Sequence, residues 1–184
     1  MLFSKKINLS IVAILIAAML FSCDSDINKV QQLYKTSFVP TGEADSIHLK
    51  YTDSGKIKSI LKSKKMLDYS GIKYPFTEFP NGIEVIIYDD NGNETTIKAN
   101  AATSYKKTEI IDLVGNVSIT TTDGKKLETE QLYFDQKNNW FFTEKHFKYT
   151  DAAGGFLQGP GVDFSKDFKI FNMQKSSGEV APIN

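Results

Sequence analysis

The sequence contains no arginine and only one cysteine. Its 22 lysines balance 22 acidic residues, so the formal net charge is zero. A nucleic-acid-binding domain normally presents a strongly basic face that contains arginine, so nucleic acid is not expected as a partner. Because Cys23 has no second thiol to pair with, an intrachain disulfide is excluded in any redox compartment. The two histidines, His48 and His146, lie outside any metal-ligand spacing, and we interpret them as ordinary strand residues.

A long hydrophobic run is also lacking. The longest apolar stretch covers residues 11–21, which is shorter than the roughly 18 residues of a membrane-spanning helix. It follows two lysines and ends near Cys23, a pattern typical of a secretory signal peptide over residues 1–22. Leu20–Cys23 resembles the lipobox at which bacterial lipoproteins are cut and acylated, and a short uncleaved anchor is the alternative. Two or more acyl chains on the cysteine would make a stable membrane anchor.

Beyond the signal peptide, composition divides the chain into three parts. Residues 23–45 are polar and are predicted to form a tether with a possible short helix. Residues 46–175 contain short apolar runs at period two, separated by Asn-Gly and Asp-Gly signals typical of β-hairpins. Residues 176–184 form a polar tail. Many short strands at this spacing predict an all-β sandwich, barrel or jelly roll.

A period of 30 residues runs through the β-region. It relates Ile97, Leu127 and Leu157, and two further sets share it: Ala102, Leu132 and Val162, and Ile110, Trp140 and Ile170. Stacked hairpins of this length would bury one continuous apolar face, which a single hairpin cannot do. Chance spacing in an antiparallel β-protein is the alternative.

No residue pattern indicates an active site. Glu128 and Glu130 would point to the same side of a strand, where paired carboxylates can do acid–base work, but a solvated sheet face is the simpler interpretation. The lysines within 62–65 would either meet anionic headgroups or discourage strand pairing. The glycines within 154–161 do not lead a strand into a helix, so they do not form a dinucleotide-binding loop. We therefore expect a protein that is not an enzyme and that uses no cofactor and no metal.

Several short stretches occur in a fixed order behind the predicted anchor and tether. They are Tyr51–Ile57, Glu78–Ile83, Gly115–Val117, Leu127–Asp135, and Gly159–Val162 with Phe168. In this order they make the chain from Tyr51 to its C-terminus resemble the LptC family, the membrane-anchored periplasmic subunits of the lipopolysaccharide export machinery. The better-known members keep an uncleaved transmembrane helix, where this sequence offers a lipobox. Periplasmic bridge proteins share the fold, and the lipid anchor favours the anchor subunit.

The resemblance implies an open, two-sheet, boat-like antiparallel β-jelly-roll with an apolar groove between its sheets. The chain would receive lipopolysaccharide from an inner-membrane ABC transporter and pass it to a periplasmic jelly-roll bridge protein, without making or breaking a bond. It would lie in the periplasm, anchored to a membrane by lipid on Cys23. Asp24 directly after that cysteine resembles an inner-membrane retention signal.

Two sets of residues are predicted to serve this function. The first is a period-two face that would line the groove, with two apolar residues opposite it: Ile111, Leu113, Val117 and Ile119, then Leu132 and Phe141. A closed core built from the same residues is the alternative. The second is an edge of the last hairpin that would meet the bridge protein: Phe156, Leu157, Phe168 and Ile170. No further repeat follows this hairpin, so we expect it to be unpaired, unless the tail folds over and blunts it.

Other classes of function remain open at this point. A lipoprotein of the same fold could act only as an assembly scaffold. It could also be a surface carbohydrate-binding or adhesive β-module, in which aromatic residues such as Trp140 and Tyr149 would be exposed.

Overall fold

The regular structure consists entirely of β-strands in the part of the chain that the computed structural model describes, residues 39–173 and 175–179. The predicted signal peptide, Cys23 and the tether up to residue 38 lie outside the described residues. The strands are β1 Gly42–Asp53, β2 Lys56–Tyr69, β3 Phe76–Phe79, β4 Ile83–Tyr88, β5 Glu94–Ala99, β6 Ala101–Tyr105, β7 Ile110–Thr121, β8 Lys126–Asp135, β9 Trp140–Thr150, β10 Phe156–Ser165, β11 Phe171–Met173 and β12 Ser177–Glu179.

Every strand pairing is antiparallel, so the predicted all-β antiparallel fold is confirmed. The strand order is β11-β10-β9-β8-β7-β5-β4-β2-β3-β6, with β1 beside β2, β12 beside β10, and β6 also beside β7. Strand β1 begins at Gly42, so residues 42–45, which were predicted to belong to the tether, are part of the fold.

The long strands each contribute to two sheets. One end of β2, Ser59–Ser63, pairs with β4, and its other end, Leu67–Tyr69, pairs with β3. Strand β7 divides between β6 and β5 in the same way, and β10 divides between β12 and β11. We call the sheet that contains β4, β5 and β12 sheet 1, and the sheet that contains β3, β6 and β11 sheet 2. The paired strand ends therefore define a two-sheet fold of the jelly-roll kind that the sequence predicted.

Bends where the long strands pass from one sheet to the other explain the buried hydroxyl groups. Ser63, Thr129 and Thr143 are the buried polar residues of the described chain, and each lies at such a bend. The Ser63 hydroxyl donates to the Gly82 carbonyl at 2.7 Å, and the Thr129 hydroxyl donates to the His146 carbonyl at 2.9 Å. A bulge interrupts a ladder, so these hydroxyls satisfy backbone groups that would otherwise be buried without a partner.

The inner face of sheet 1 carries one apolar row that crosses every long strand in register. The row runs Leu49, Leu61, Val85, Ile97, Ile119, Leu127, Tyr149 and Leu157. Its middle is fully buried, whereas Leu49 at the β1 end is 52% exposed. The row therefore forms a closed core in its middle and opens toward β1.

Sheet 2 contributes a row of stacked aromatic rings. Phe134, Phe141, Phe164 and Phe171 lie side by side on four neighbouring strands, with centroid distances of 4.4, 5.2 and 5.1 Å between successive rings. Offset aromatic pairs contribute about 0.5–1.5 kcal/mol each beyond the apolar area that they bury. This row therefore holds the C-terminal strands of sheet 2 firmly together.

The 30-residue period has a topological cause. Ile97, Leu127 and Leu157 lie in the inner row of sheet 1 on β5, β8 and β10. In that row Ile119 of β7 lies between the first two, and Tyr149 of β9 lies between the last two. Each step of 30 residues thus advances two strands and returns to the same row.

Candidate functional site

The residues predicted to line a groove lie together in the interior, where most of them are shielded from solvent. Leu113, Val117, Ile119, Leu132 and Phe141 are each at most 3% exposed, and Ile111 is half-buried against the same cluster. The structure therefore shows a closed core, which was the alternative to the predicted open groove. Whether they contact lipid stays a prediction, and such contact would require the two sheets to separate.

The pairing of these residues differs from the predicted one in detail. Leu132 faces Leu113 directly across the β7–β8 ladder. Phe141 does not lie opposite Ile111, because Phe134 of β8 stands between them in one cross-strand row. The 30-residue period placed Ile111 and Phe141 at equivalent positions of two hairpins, and equivalent positions are two strands apart.

A cleft of about 880 Å³ lies along the open rims of the two sheets. Its sheet 1 side is formed by the β4–β5 and β7–β8 hairpins, and its sheet 2 side by Asn138–Phe141 and Ser165–Phe168. Ile87, Phe141 and Phe168 supply apolar surface, and the last two belong to the aromatic cluster of sheet 2. The cleft was missed by sequence reasoning, because its lining comes from turns that are far apart in the chain.

The rim of the cleft carries several carboxylates, and each of those described below accepts hydrogen bonds from nearby residues. Lys58 donates to Asp90 at 2.6 Å, and this hydrogen bond lowers the pKa of the Asp90 carboxyl. Asn93 donates to Asp89 from its side chain and its backbone, which lowers the pKa of Asp89. At the other rim the Ser165 hydroxyl and Lys169 lower the pKa of Asp167 to about 2. These carboxylates are therefore ionised at neutral pH.

The edge predicted to meet a partner is paired in the structure, so the expectation that it is unpaired is wrong. Strand β10 pairs with β9 on one side and with β11 and β12 on the other. Phe156 and Leu157 lie in the part covered by β12, so the tail blunts this edge. Phe168 lies in the turn before β11 with φ of 58°, and its amide donates to the Ser165 carbonyl. Phe168 is therefore not part of a ladder, and Ile170 is an exposed residue of the same turn.

The opposite edge is open in the described residues. Strand β1 pairs with β2 alone. Its inner face carries Leu49 and Tyr51, which are 52% and 63% exposed, and Ile57 next to them on β2 is also exposed. Among the described residues, the apolar row of sheet 1 therefore ends at a strand that has one edge without a partner.

Other residues singled out from the sequence occupy ordinary strand positions. His48 and His146 are exposed members of β1 and β9. Glu128 forms an ion pair with Lys126 at 2.6 Å on the outer face of sheet 1, as expected for a solvated face. The Trp140 indole donates to Asp163 at 3.1 Å, and Tyr149 packs inward against Phe171. Neither aromatic ring is fully exposed.

Two further features are absent from the described part of the chain. No group of three or more His, Cys, Asp or Glu side chains there could hold a metal ion. No helix there is long and apolar enough to cross a membrane.

Comparison with known protein families identifies the family of the chain. The model of the lipopolysaccharide-assembly, LptC-related family matches residues 9–176. The chain belongs to this family. The resemblance inferred from the sequence is therefore confirmed, and the match covers all but the first and last few residues. LptC-related proteins serve in lipopolysaccharide transport at the cell envelope as non-enzymatic components. No curated protein matches the chain.

Proposed function

We propose that this LptC-related chain is a lipid-anchored transport subunit that receives lipopolysaccharide from an inner-membrane ABC transporter and passes it to a periplasmic bridge protein. The acyl chains travel between the two sheets, and no covalent bond changes. The observation that carries the proposal is the in-register apolar row of sheet 1, which runs from the exposed Leu49 to Leu157 across eight strands. Transfer of acyl chains from water to such a face is favourable by about 0.8 kcal/mol per buried CH₂.

The cleft between the rims is the entry for the acyl chains. Phe141 lies at its base and is 1% exposed, so a chain that enters the cleft reaches the buried core by separating the rims. Each rim consists largely of turns between strands, and turns move more easily than paired strands. The ionised carboxylates of the rim stay in water, so only the apolar part of the lipid is drawn inside.

The two ends of the apolar row are the docking ends. The open β1 edge, with Leu49, Tyr51 and Ile57, takes a strand from the transporter side, because β1 is the first strand in the sequence after the segment that contains Cys23. The β10 side takes the bridge protein. Addition of a strand at each end would extend the apolar face from one protein to the next.

Attachment to the membrane is assigned to Cys23. After removal of residues 1–22 this cysteine would be the first residue, and acylation would hold the fold at the periplasmic side of the inner membrane. The lipobox at Leu20–Cys23 and Asp24 support this assignment.

Photocrosslinking in living cells tests the transport function. A photoreactive amino acid at Ile87, which lines the cleft, should capture lipopolysaccharide, and so should one at Leu132 in the core. Ile86 is the matched control, because it is the neighbouring isoleucine of β4, is equally half-buried and points to the outer face. Capture at Ile86 as strong as at Ile87 would contradict an internal path.

The same experiment separates the other functions. A scaffold would yield protein crosslinks at β1 or β10 and no lipid at Ile87. A carbohydrate-binding or adhesive module would be blocked by a change at Trp140 and would yield no lipid crosslink at Ile87. The partly covered Trp140 and the inward-facing Tyr149 give that function no specific support.

A further inference from the structure

The two short strands beside β10 are attached to it in different ways. Strand β11 is held by side chains: Phe171 stacks on Phe164 with centroids 5.1 Å apart and packs against Tyr149 at 5.0 Å. Strand β12 consists of Ser177, Gly178 and Glu179, all exposed. Neither the Ser177 nor the Glu179 side chain makes a hydrogen bond or an ion pair in the described structure. In the described residues, the β10–β12 ladder consists of three residue pairs.

Gly178 fits under β10 because it has no side chain. A Cβ atom at this position would lie 2.8 Å from Leu157 Cδ2 and 3.1 Å from Leu157 Cα, and it would collide with the Phe156 carbonyl oxygen. Any larger residue would therefore push β12 away from the edge. Gly178 also stands opposite Leu157, so the apolar row of sheet 1 stops at a residue that cannot continue it.

We infer that β12 is a removable cover, and that the β10 edge beneath it, Phe156–Gln158, is the surface that receives a β-strand of a partner protein. This inference rests on the proposed function, in which the β10 side meets a jelly-roll partner. The partner strand takes the place of β12 and does not add beside it. Displacement lets an apolar side chain of the partner lie next to Leu157, whereas addition beyond β12 would leave a glycine between the two apolar faces.

The cover also has a function before the partner arrives. An unpaired strand edge invites pairing with other copies of the chain. A short polar strand of the same chain satisfies the backbone of β10 at high effective concentration, yet a longer apolar strand can replace it. The tail thus protects the edge without closing it.

Amide hydrogen exchange on the unaltered chain tests whether the cover opens. The amides of Ser177–Glu179, and those of Phe156–Gln158 that bond to them, should exchange at least about tenfold faster than those of Val162–Phe164 beneath β11. If both segments exchange at one rate, β12 opens only when the whole fold opens, and the inference is wrong.

A variant pair tests whether the partner displaces β12 or adds to it. Gly178→Val expels β12 from the edge. Gly42→Val is the matched control, because a Cβ at this exposed strand position of β1 would meet no atom within 4 Å. Each variant carries a photoreactive residue at Gln158, and crosslinked peptides are identified by mass spectrometry from cells.

The outcomes are distinct. Displacement predicts that crosslinks from Gln158 to a strand of a jelly-roll protein increase at least about threefold in Gly178→Val and stay unchanged in Gly42→Val. A decrease or no change in Gly178→Val overturns displacement, and so does the absence of any jelly-roll crosslink. Lipid capture at Ile87 is independent of β12, so a loss of that signal would instead reject the proposed transport function.

Discussion

Ile119 and Leu127 face each other across the β7–β8 ladder, and neither side chain is accessible to solvent. They stand at the centre of the apolar row of sheet 1, with half-buried Val85 on the β1 side and half-buried Tyr149 on the β10 side. The middle of the row that the proposed function uses is therefore fully buried. If lipid enters as proposed, we expect opening to begin at the less buried ends of the row and at the cleft.

Truncation of Leu127 to alanine should destabilise the fold strongly. Removal of a fully buried leucine side chain leaves a cavity and costs about 2–5 kcal/mol. Val114→Ala is the control, because Val114 is 44% exposed on the neighbouring strand and its loss should cost less than about 0.5 kcal/mol. Urea unfolding followed by circular dichroism measures both values. Similar midpoints for the two variants would show that the interior is not the closed core described.

Thiol accessibility should differ sharply along β7. Val117→Cys replaces a side chain that is 1% exposed, whereas Val114→Cys places a thiol on the solvated face. In lipid-free native protein a soluble maleimide should label position 114 within seconds and position 117 only slowly, through transient opening. Added lipopolysaccharide should slow the labelling of position 117 further and leave position 114 unchanged.

If Val117→Cys instead reacts as fast as Val114→Cys, the sheets stand open without lipid and the interior is a permanent groove. If lipid changes neither rate, the lipid does not reach this part of the interior.

The sequence predicted the strands well and the connections between them less well. Period-two alternation in β7 identified both the strand and its buried face, because burial on one side of a sheet leaves a direct imprint on residue order. The division of each long strand between two sheets leaves only local signals in the sequence. One is the pair Gly115 and Asn116, both of which have positive φ at the bend of β7. These bends depend on which distant strands pair, and a single sequence does not reveal that.

The predicted partner edge shows the same limit. Leu157 lies in the repeating apolar row, as the sequence predicts. The polar tail was not expected to supply another full strand, and the alternative was that it folds over and blunts the edge. A three-residue strand of Ser177, Gly178 and Glu179 has no apolar alternation to recognise. Phe168 was predicted to belong to the edge strands of the last hairpin, yet its backbone adopts the left-handed conformation of a turn. Packing of the Phe168 ring against Phe164 and Phe171 compensates for this unfavourable backbone conformation.

Processing at Cys23 remains a prediction with a direct test. Cys23→Ala should leave a precursor that is neither cleaved nor acylated, because the thiol is the only site on which the lipid can be placed. Incorporation of a radioactive fatty acid, followed by electrophoresis, compares the variant with the wild type. Val117→Cys is the control, because it also changes the number of cysteines but keeps Cys23, and it should incorporate label as the wild type does. Equal label on wild type and Cys23→Ala would refute the lipoprotein assignment.

The turn between β10 and β11 should lose order in strong acid. The Ser165 hydroxyl and Lys169 hold the pKa of Asp167 at about 2, below its ordinary value of 3.8. A carboxyl with a depressed pKa stabilises the folded state fully above its ordinary value, and that contribution disappears as the pH falls through about 2. Amide exchange of Phe168 and Lys169 should therefore accelerate, after correction for intrinsic rates, between pH 4 and pH 2. Asp167→Asn should remove this pH dependence, and an unchanged profile in that variant would contradict the assignment.

The open β1 edge should be sensitive to charge on its inner face only. Leu49→Asp places a carboxylate at the exposed end of the apolar row, where a partner strand would have to bury it. Copurification of the transporter subunits should fall by about tenfold or more, the equivalent of about 1.4 kcal/mol. The melting temperature should hardly change, because Leu49 is already half exposed in the free chain. Lys50→Asp is the matched control, since it alters the next residue of β1 on the opposite face and also introduces a carboxylate. An equal loss in both variants would point to a general electrostatic effect, and full retention in Leu49→Asp would place the transporter contact away from β1.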